Sequence, residues 1–139
     1  MNTRTERITI ETRGQGLTEI TREVEEVLRA STIREGLCTV YIPHTSASLV
    51  IQENADPSAR RDLEGFLARL VPEDDPLYTH TSEGPDDMPA HVKAALTQTS
   101  MGIPVLRGRL ALGTWQGIYI WEHRSARSKR RVVVGIIGE

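Results

Sequence analysis

Three of the four histidines stand beside predicted turns or helix ends, where an imidazole can leave the core. His44 follows the apolar run that ends at Pro43, and His80 lies in a polar stretch. His91 follows Pro89, a residue that favours the first turn of a helix. The positive end of a helix dipole disfavours imidazolium, so it favours the neutral ring of His91 that binds a metal. Taken singly, His44 is also compatible with a hydrogen-bonded structural role, and His80 with a solvated position in a loop.

Carboxylates in the neighbouring segments could complete a ligand set. Glu53, Glu83 and Asp86 are available, and histidine with carboxylate is the donor combination that Zn²⁺ and similar divalent metals favour. Asp87 has another interpretation, because an Asp at the start of a predicted helix often caps it. No H-E-x-x-H signature is present, so folding would have to assemble the site. Glu53 and Asp86 are the residues predicted to move protons beside the metal.

A basic cluster in the last predicted hairpin could hold an anion. Its members are Arg124, Arg127, Lys129, Arg130 and Arg131. A guanidinium pairs bidentately with phosphate oxygens, so Arg124, Arg130 and Arg131 are interpreted as a phosphate site, with a solvated turn as the alternative. No aromatic residues alternate with these charges and the net charge is -2, so nucleic acid is not predicted as a partner.

Length and composition restrict the class of protein. The chain has 139 residues, which suffice for one core but fall short of the ~250 residues of a (β/α)₈ barrel, so a single domain over residues 1–139 is expected. Its apolar runs are far shorter than the roughly 20 residues that span a bilayer, and the N-terminus lacks the apolar segment of a secretory signal. We therefore expect a cytoplasmic protein that does not associate with membranes.

Strands and helices do not alternate along the chain. Helical spacing or capping residues predict helices that begin near Thr18, after Asp56 and at Pro89, and residues 73–88 form a long polar loop. The predicted strands are 7–12, 37–43, 47–52, 103–107, 109–112, 114–123 and 130–137. This order predicts an α+β fold in two layers, with mainly antiparallel sheets and flanking helices.

The strand predicted at residues 114–123 has two contrasting faces. Trp115, Tyr119 and Trp121 share one face, which packing, a subunit contact or a ligand wall would each explain. On the other face Glu122 follows two isoleucines, so it is expected to be either paired near the strand end or functional.

Several of these segments together resemble the YjbQ-like family. The resemblance runs in order from about Ile8 to Glu139. Its motifs are HTSASL from His44, ENADP from Glu53, EGPDDMPAH from Glu83, GTWQG from Gly113 and EHR from Glu122. Close relatives carry a Gly-Gly turn where this chain has Arg127-Ser128, which alters the tip of the predicted hairpin.

The resemblance implies a two-sheet α+β domain that assembles as a homotrimer. It also implies that His44, His80 and His91 meet at a metal or active site. Members are described as having secondary thiamine-phosphate synthase activity. The dedicated enzymes for that reaction resemble (β/α)₈ barrels, and this chain is too short to be one.

Two functions follow as hypotheses. The leading one is a metal-dependent enzyme that acts on a phosphorylated or pyrophosphorylated small molecule, with thiamine-phosphate synthesis as a secondary activity. The alternative is a noncatalytic trimeric module that holds a metal or a phosphorylated metabolite in the same pocket. A base beside the metal would favour the enzyme, and a closed ligand shell would favour the module.

Overall fold

The computed structural model describes residues 1–139 and contains three helices and eight strands. The helices are α1 (Thr21–Ser31), α2 (Pro57–Leu70) and α3 (Asp87–Leu96). The strands are β1 (Asn2–Thr12), β2 (Gly16–Glu19), β3 (Glu35–Tyr41), β4 (Ala47–Glu53), β5 (Ser100–Leu106), β6 (Arg109–Leu110), β7 (Gln116–Glu122) and β8 (Ser128–Gly138). None of the helices combines the length and hydropathy needed to cross a bilayer.

The strands form two sheets in which every pairing is antiparallel. The larger sheet has the order β1-β8-β3-β5-β6, and the smaller has the order β2-β7-β4. The predicted α+β class with mainly antiparallel sheets is therefore confirmed. Strand β8 lies between β1 and β3, so the C-terminal segment is central to the larger sheet.

One apolar core joins both sheets to α1. Val40 of β3 and Val134 of β8 contribute from the larger sheet, Leu49 of β4 and Ile120 of β7 from the smaller, and Val24 from α1. Each of these side chains is fully buried. A second, smaller cluster covers the opposite face of the smaller sheet, so that sheet is packed on both sides.

The second cluster explains why β7 is buried along both faces. Tyr119 and Trp121 pack with Leu17 of β2 and Leu67 of α2, whereas Trp115 precedes the strand and is 64% exposed. Packing is therefore the correct interpretation for two of the three aromatic residues, and Trp115 does not share their environment.

The helix predicted from Thr18 begins later than expected. Residues Gly16–Glu19 form β2, in which Thr18 pairs with Ile120, and α1 begins at Thr21. The prediction was wrong because Leu17 and Ile20 lie three residues apart and imitate helical spacing, although they belong to a strand and to the residue that precedes the helix. Strand pairing with β7 overrides the local pattern.

The other two helices show how capping residues act. Asp56 caps α2 by accepting a hydrogen bond from the Ser58 backbone N–H at 2.9 Å, with Pro57 as the first helical residue, as predicted. Helix α3 begins at Asp87, two residues before Pro89, which the first turn tolerates because N–H groups there lack intrahelical acceptors. It ends at Leu96, after which Gln98 bridges to β4 and Ser100 begins β5.

Candidate functional site

A histidine and carboxylate cluster lies at the start of α3. Donor atoms of His80, Asp87 and His91 all lie within 4.8 Å of one another. The Asp87 Oδ2 atom is 2.8 Å from His80 Nε2 and 3.3 Å from His91 Nε2. Asp87 and His91 are four residues apart on α3, so they occupy the same helical face, and the preceding loop brings His80 to them.

The ring of His91 is oriented by the segment that joins β3 to β4. Its Nδ1–H donates to the Thr45 carbonyl at 3.0 Å, which leaves Nε2 directed toward Asp87. Metal-binding histidines in proteins usually have their second nitrogen held in this way, because the hydrogen bond fixes the tautomer. The side chains of His80 and His91 are 46% and 30% exposed, whereas Asp87 is 3% exposed, so the cluster opens to solvent on its histidine side.

Arg124 holds the carboxylates of this cluster. Its NH1 group donates to Asp87 Oδ1 at 2.7 Å, its Nε–H to Asp86 Oδ2 at 3.0 Å, and its NH2 group to the Glu83 carbonyl at 3.0 Å. The hydrogen bond with Asp86 is the main reason that the pKa of Arg124 is raised. All three guanidinium nitrogens are used, so the structure places Arg124 in a supporting role and does not leave it free to clamp phosphate.

Asp86 is fixed beside the cluster rather than within it. Its Oδ2 atom accepts hydrogen bonds from the Ser125 backbone N–H at 2.9 Å and from Arg124. The Ser125 hydrogen bond, aided by Arg124, lowers the pKa of Asp86 against the opposing effect of burial. A carboxylate held ionised in this way is a weak proton acceptor, so this arrangement does not favour the predicted proton transfer by Asp86.

Glu53 lies at the other end of β4. Ala47, at the start of β4, pairs with Glu122, and six further residues of extended chain place Glu53 roughly 20 Å along the strand. There Glu53 Oε2 accepts a hydrogen bond from the Asp56 backbone N–H at 2.8 Å. Within one chain, Glu53 therefore does not meet the histidines, and its predicted place in the same site stays a prediction.

A buried ion pair joins β7 to β8 next to the cluster. Arg130 donates through Nε and NH2 to the two oxygens of Glu122, which also accept hydrogen bonds from the Thr12 hydroxyl and from the backbone N–H groups of His123 and Arg124. Burial alone would raise the pKa of Glu122, but the hydrogen bonds from Arg130 and Thr12 outweigh it and the pKa is lowered. Glu122 was predicted to be either paired or functional, and the structure shows that it is paired. Its carboxylate balances the charge of the Arg130 guanidinium.

His44 lies beyond the end of β3, where the pairing of β3 with β8 stops. The Arg131 backbone N–H faces the side on which β3 would continue, and it donates instead to His44 Nε2 at 3.0 Å. The Arg130 guanidinium lies 3.5 Å from His44 Nδ1, too far for a good hydrogen bond. Burial, and then the charge of Arg130, lower the pKa of His44. His44 does not belong to the cluster of His80, Asp87 and His91, so its role as a third metal ligand stays a prediction.

The predicted phosphate site is thus reduced to one free guanidinium. Arg124 and Arg130 are paired with carboxylates, whereas the Arg131 side chain is exposed and forms no ion pair. Only the backbone of Arg131 adjoins His44, because its side chain projects from the outer face of the larger sheet, opposite the side chain of Arg130.

Sequence reasoning missed three residues of this region. Asp87 was interpreted as a cap, but Asp86 is the N-cap residue and Asp87 faces the histidines. The spacing of Asp87 and His91, one helical turn apart, was the available signal. Nothing in the local sequence distinguishes the other two, Lys93 and His123, which are buried at 5% and 1% exposure.

Lys93 and His123 lie deeper than the cluster. The Nε2 atom of His123 is 2.9 Å from the Ser48 hydroxyl oxygen, and burial lowers the pKa of His123 to about 3. Burial also lowers the pKa of Lys93, against the raising effect of Glu73 and Asp86. His123 is therefore neutral at physiological pH.

Comparison with known proteins gives one consistent family. The family model described as "UPF0047 protein YjbQ-like" matches residues 6–139. A UPF0047 protein of Synechocystis is 52% identical over 132 residues, covering 95% of this chain and 90% of the relative. The UPF0047 protein YjbQ of Escherichia coli O157:H7 is 40% identical over 133 residues, covering 95% of this chain and 96% of the relative.

Solved structures have the same fold. A crystal structure of a YjbQ/UPF0047 family protein from Clostridium acetobutylicum has a TM-score of 0.87 at 34% identity, covering 95% of this chain and 99% of the other. A crystal structure described as that of a "YbjQ-like protein of unknown function" from Sulfolobus solfataricus also gives a TM-score of 0.87, at 26% identity, covering 99% of this chain and 100% of the other.

Proposed function

The chain belongs to the UPF0047 protein YjbQ-like family, and from that premise we propose that it is a metal-dependent enzyme acting on a phosphorylated or pyrophosphorylated small molecule. Thiamine-phosphate synthesis is proposed as a secondary activity. One observation carries the proposal: two histidines and one carboxylate converge within 4.8 Å at a solvent-facing position.

The composition of this cluster fits a divalent metal, with Zn²⁺ as the first candidate. Catalytic zinc sites commonly use three protein ligands from histidine and carboxylate and keep one position open, and His80, Asp87 and His91 supply such a set. Asp87 is buried and hydrogen-bonded to Arg124, which fixes the orientation of its carboxylate toward the histidines. When bound, a divalent cation supplies Lewis-acid stabilisation of phosphoryl oxygens and of a leaving pyrophosphate.

The residues around the cluster have separate proposed tasks. Thr45 orients His91, and Arg124 holds Asp87 from the side opposite the histidines. Arg131 is the remaining candidate for binding substrate phosphate, because its guanidinium is exposed and unpaired. The contact with His44 would keep the Arg131 backbone in place while its side chain moves toward a ligand.

One observation favours the alternative, a noncatalytic binding module. Neither carboxylate predicted to move protons is free at the cluster, because Asp86 is hydrogen-bonded to Arg124 and Ser125 and Glu53 lies at the far end of β4. A site that binds a metal and a phosphorylated metabolite without a base would hold its ligand unchanged.

Assembly and location are proposed from the family and the surface. The outer face of the larger sheet exposes Leu37, Tyr41, Leu106 and Ile137, each at 43% or more, and we propose that this face forms the homotrimer interface. Exposed apolar patches of this kind often mark contacts between proteins. The cytoplasm is the proposed location.

Metal analysis tests the proposal directly. Protein purified without an affinity tag, stripped by a chelator and dialysed against Zn²⁺, should retain about one metal per chain. His91→Ala and Asp87→Ala should each weaken Zn²⁺ binding by at least about tenfold, because each removes one ligand from a small set. Equilibrium dialysis with elemental analysis measures both quantities.

Two matched variants make the assay discriminating. Glu53→Gln is the carboxylate control and should bind Zn²⁺ as the unaltered chain does, because Glu53 is remote from the cluster. His44→Ala decides whether a third histidine participates. Retention of full zinc by both His91→Ala and Asp87→Ala would refute the metal site, and turnover of pyrophosphorylated metabolites that persists in the metal-free protein would refute metal dependence.

A further inference from the structure

A cavity separate from the histidine cluster lies between α2, α3 and the smaller sheet. Its volume is about 280 Å³, enough for several water molecules or one small organic molecule. Gly16, Glu64, Lys93, Trp121 and His123 contribute to its wall, together with the apolar side of α2. None of the three candidate metal ligands lines it.

Lys93 enters this cavity without a protein partner. The residue is 5% exposed, but its ammonium group keeps contact with the solvent of the cavity and forms neither a hydrogen bond nor an ion pair. Glu73 and Asp86 influence its charge without pairing with it. The ammonium group is therefore a cation on the cavity wall that a ligand anion can reach.

The carboxylates of the cavity wall differ in whether both of their oxygens accept hydrogen bonds. Glu122 is fully engaged by Arg130 and Thr12. Glu64 uses only Oε2, which accepts the Leu17 backbone N–H at 2.7 Å, and Oε1 has no partner. Gly16 makes this approach possible, because a Cβ atom there would lie 2.5 Å from Glu64 Oε2, and its φ of +138° also favours glycine. The wall thus offers one free cation and one free acceptor.

We infer that this cavity binds a small monocarboxylate that also carries a hydroxyl or ammonium group. The ligand carboxylate pairs with Lys93, and the ligand donor reaches Glu64 Oε1. A phosphate dianion fits less well, because the Glu64 carboxylate on the wall repels a dianion more strongly than a monoanion. An uncharged ligand would leave Lys93 unpaired.

This site is independent of the proposed metal centre. Lys93 follows His91 by two residues, and at 3.6 residues per turn the two side chains leave α3 about 200° apart. The helix therefore presents one face to the histidine cluster and another to the cavity. Binding in the cavity can be measured on protein stripped of metal.

The chain contains only two lysines, Lys93 and Lys129, which allows a direct test with an internal control. Protein labelled with [¹³C]lysine gives one set of side-chain Cε signals from each. Titration with glycolate at constant ionic strength and in the presence of a chelator should shift the Lys93 signal saturably and leave exposed Lys129 unchanged. Acetate, which lacks the donor, should bind about tenfold more weakly, and inorganic phosphate should not shift Lys93.

The variant Lys93→Met removes the charge and keeps the length of the side chain. Backbone amide signals of Gly16 and Trp121 should then lose their response to glycolate, whereas Lys129→Met should respond as the unaltered chain does. An unchanged response in Lys93→Met would overturn the inference. So would equal, unsaturable shifts of both lysines in the unaltered chain, a result that stands even if Lys93→Met fails to fold. Equal affinity for acetate and glycolate would remove Glu64 from the site.

Discussion

At the scale of single residues, the arginines of the basic cluster differ in what they contact rather than in charge. Arg130 is buried and paired with Glu122, while its neighbour Arg131 is exposed and unpaired. Their environments differ because the side chains of successive residues in a strand point to opposite faces of the sheet. Two adjacent arginines therefore have different roles: Arg130 is structural, and Arg131 is a candidate for ligand binding.

Replacing these two arginines should separate stability from binding. Arg130→Met should lower the free energy of unfolding by about 3 to 5 kcal/mol, because it leaves Glu122 buried without its partner. Arg131→Met should change stability by less than about 0.5 kcal/mol but weaken pyrophosphate binding roughly tenfold or more. Urea unfolding and isothermal titration measure the two effects. Equal pyrophosphate affinity in Arg131→Met and the unaltered chain would show that no phosphate contact forms there.

The sequence predicted which residue types belong to the site more reliably than it predicted which of those residues lie close together in space. His80 and His91 were predicted as ligands and do converge, because one lies in and the other just after the loop that leads into α3. Glu53 was grouped with them on chemistry, and His44 on chemistry together with the family resemblance. Their positions depend on where β3 ends and how long β4 runs, which local patterns do not specify.

At the scale of elements, the end of β7 concentrates buried polar groups. Glu122 pairs with Arg130 of β8, so the smaller sheet is joined to the larger one by a polar as well as by apolar contacts, and His123 contacts Ser48 of β4 within the smaller sheet. His123 remains neutral because burial lowers its pKa to about 3 from the ordinary 6.5. Between about pH 3 and pH 6.5, His123 therefore binds a proton in the unfolded chain but not in the folded chain.

This difference predicts how stability depends on pH. Above about pH 6.5, His123 is neutral in both the folded and the unfolded chain, so its contribution to stability is complete. On acidification toward pH 3, only the unfolded chain takes up the proton, and the free energy of unfolding falls. From pH 6.5 to 4.5 the metal-free protein should lose about 2 kcal/mol more than His123→Gln, which cannot take up this proton. Urea titrations at several pH values measure it. Parallel stability curves for the two proteins would contradict the buried, neutral state of His123.

Element boundaries were predictable where side chains cap or break a helix, and less so where pairing decides. Asp56 and Pro57 set the start of α2 correctly. Strand β2 was missed because it is four residues long and exists through its pairing with β7, a partner about a hundred residues away. Such long-range pairing leaves little trace in a short sequence window.

At the scale of the whole molecule, the outer face of the larger sheet carries exposed apolar residues in register. Leu37 of β3 is directly opposite Ile137 of β8, and Pro104 of β5 lies on its other side. Leu37 and Ile137 are 43% and 44% exposed. The proposed homotrimer would remove this stripe from water.

Sedimentation analysis tests that assembly. The protein should sediment at about three times its 15.5 kDa chain mass over a wide concentration range. Leu37→Glu should shift the population toward monomer, because it would bury a charge in the proposed interface. Leu77→Glu, at a loop residue that is 85% exposed, is the matched control and should leave the mass unchanged. A stable monomer of the unaltered chain at micromolar concentration would contradict the homotrimer.

The central place of β8 bears on when the fold can form during translation. Strand β1 pairs only with β8, and one edge of β3 pairs with it too, so β1 must wait for more than a hundred later residues to be synthesised and β3 for about ninety. Arg130 and the backbone of Arg131, which complete the surroundings of Glu122 and His44, arrive with that same strand. A ribosome-bound chain lacking β8 therefore exposes two unpaired strand edges, the kind of surface that chaperones shield from aggregation.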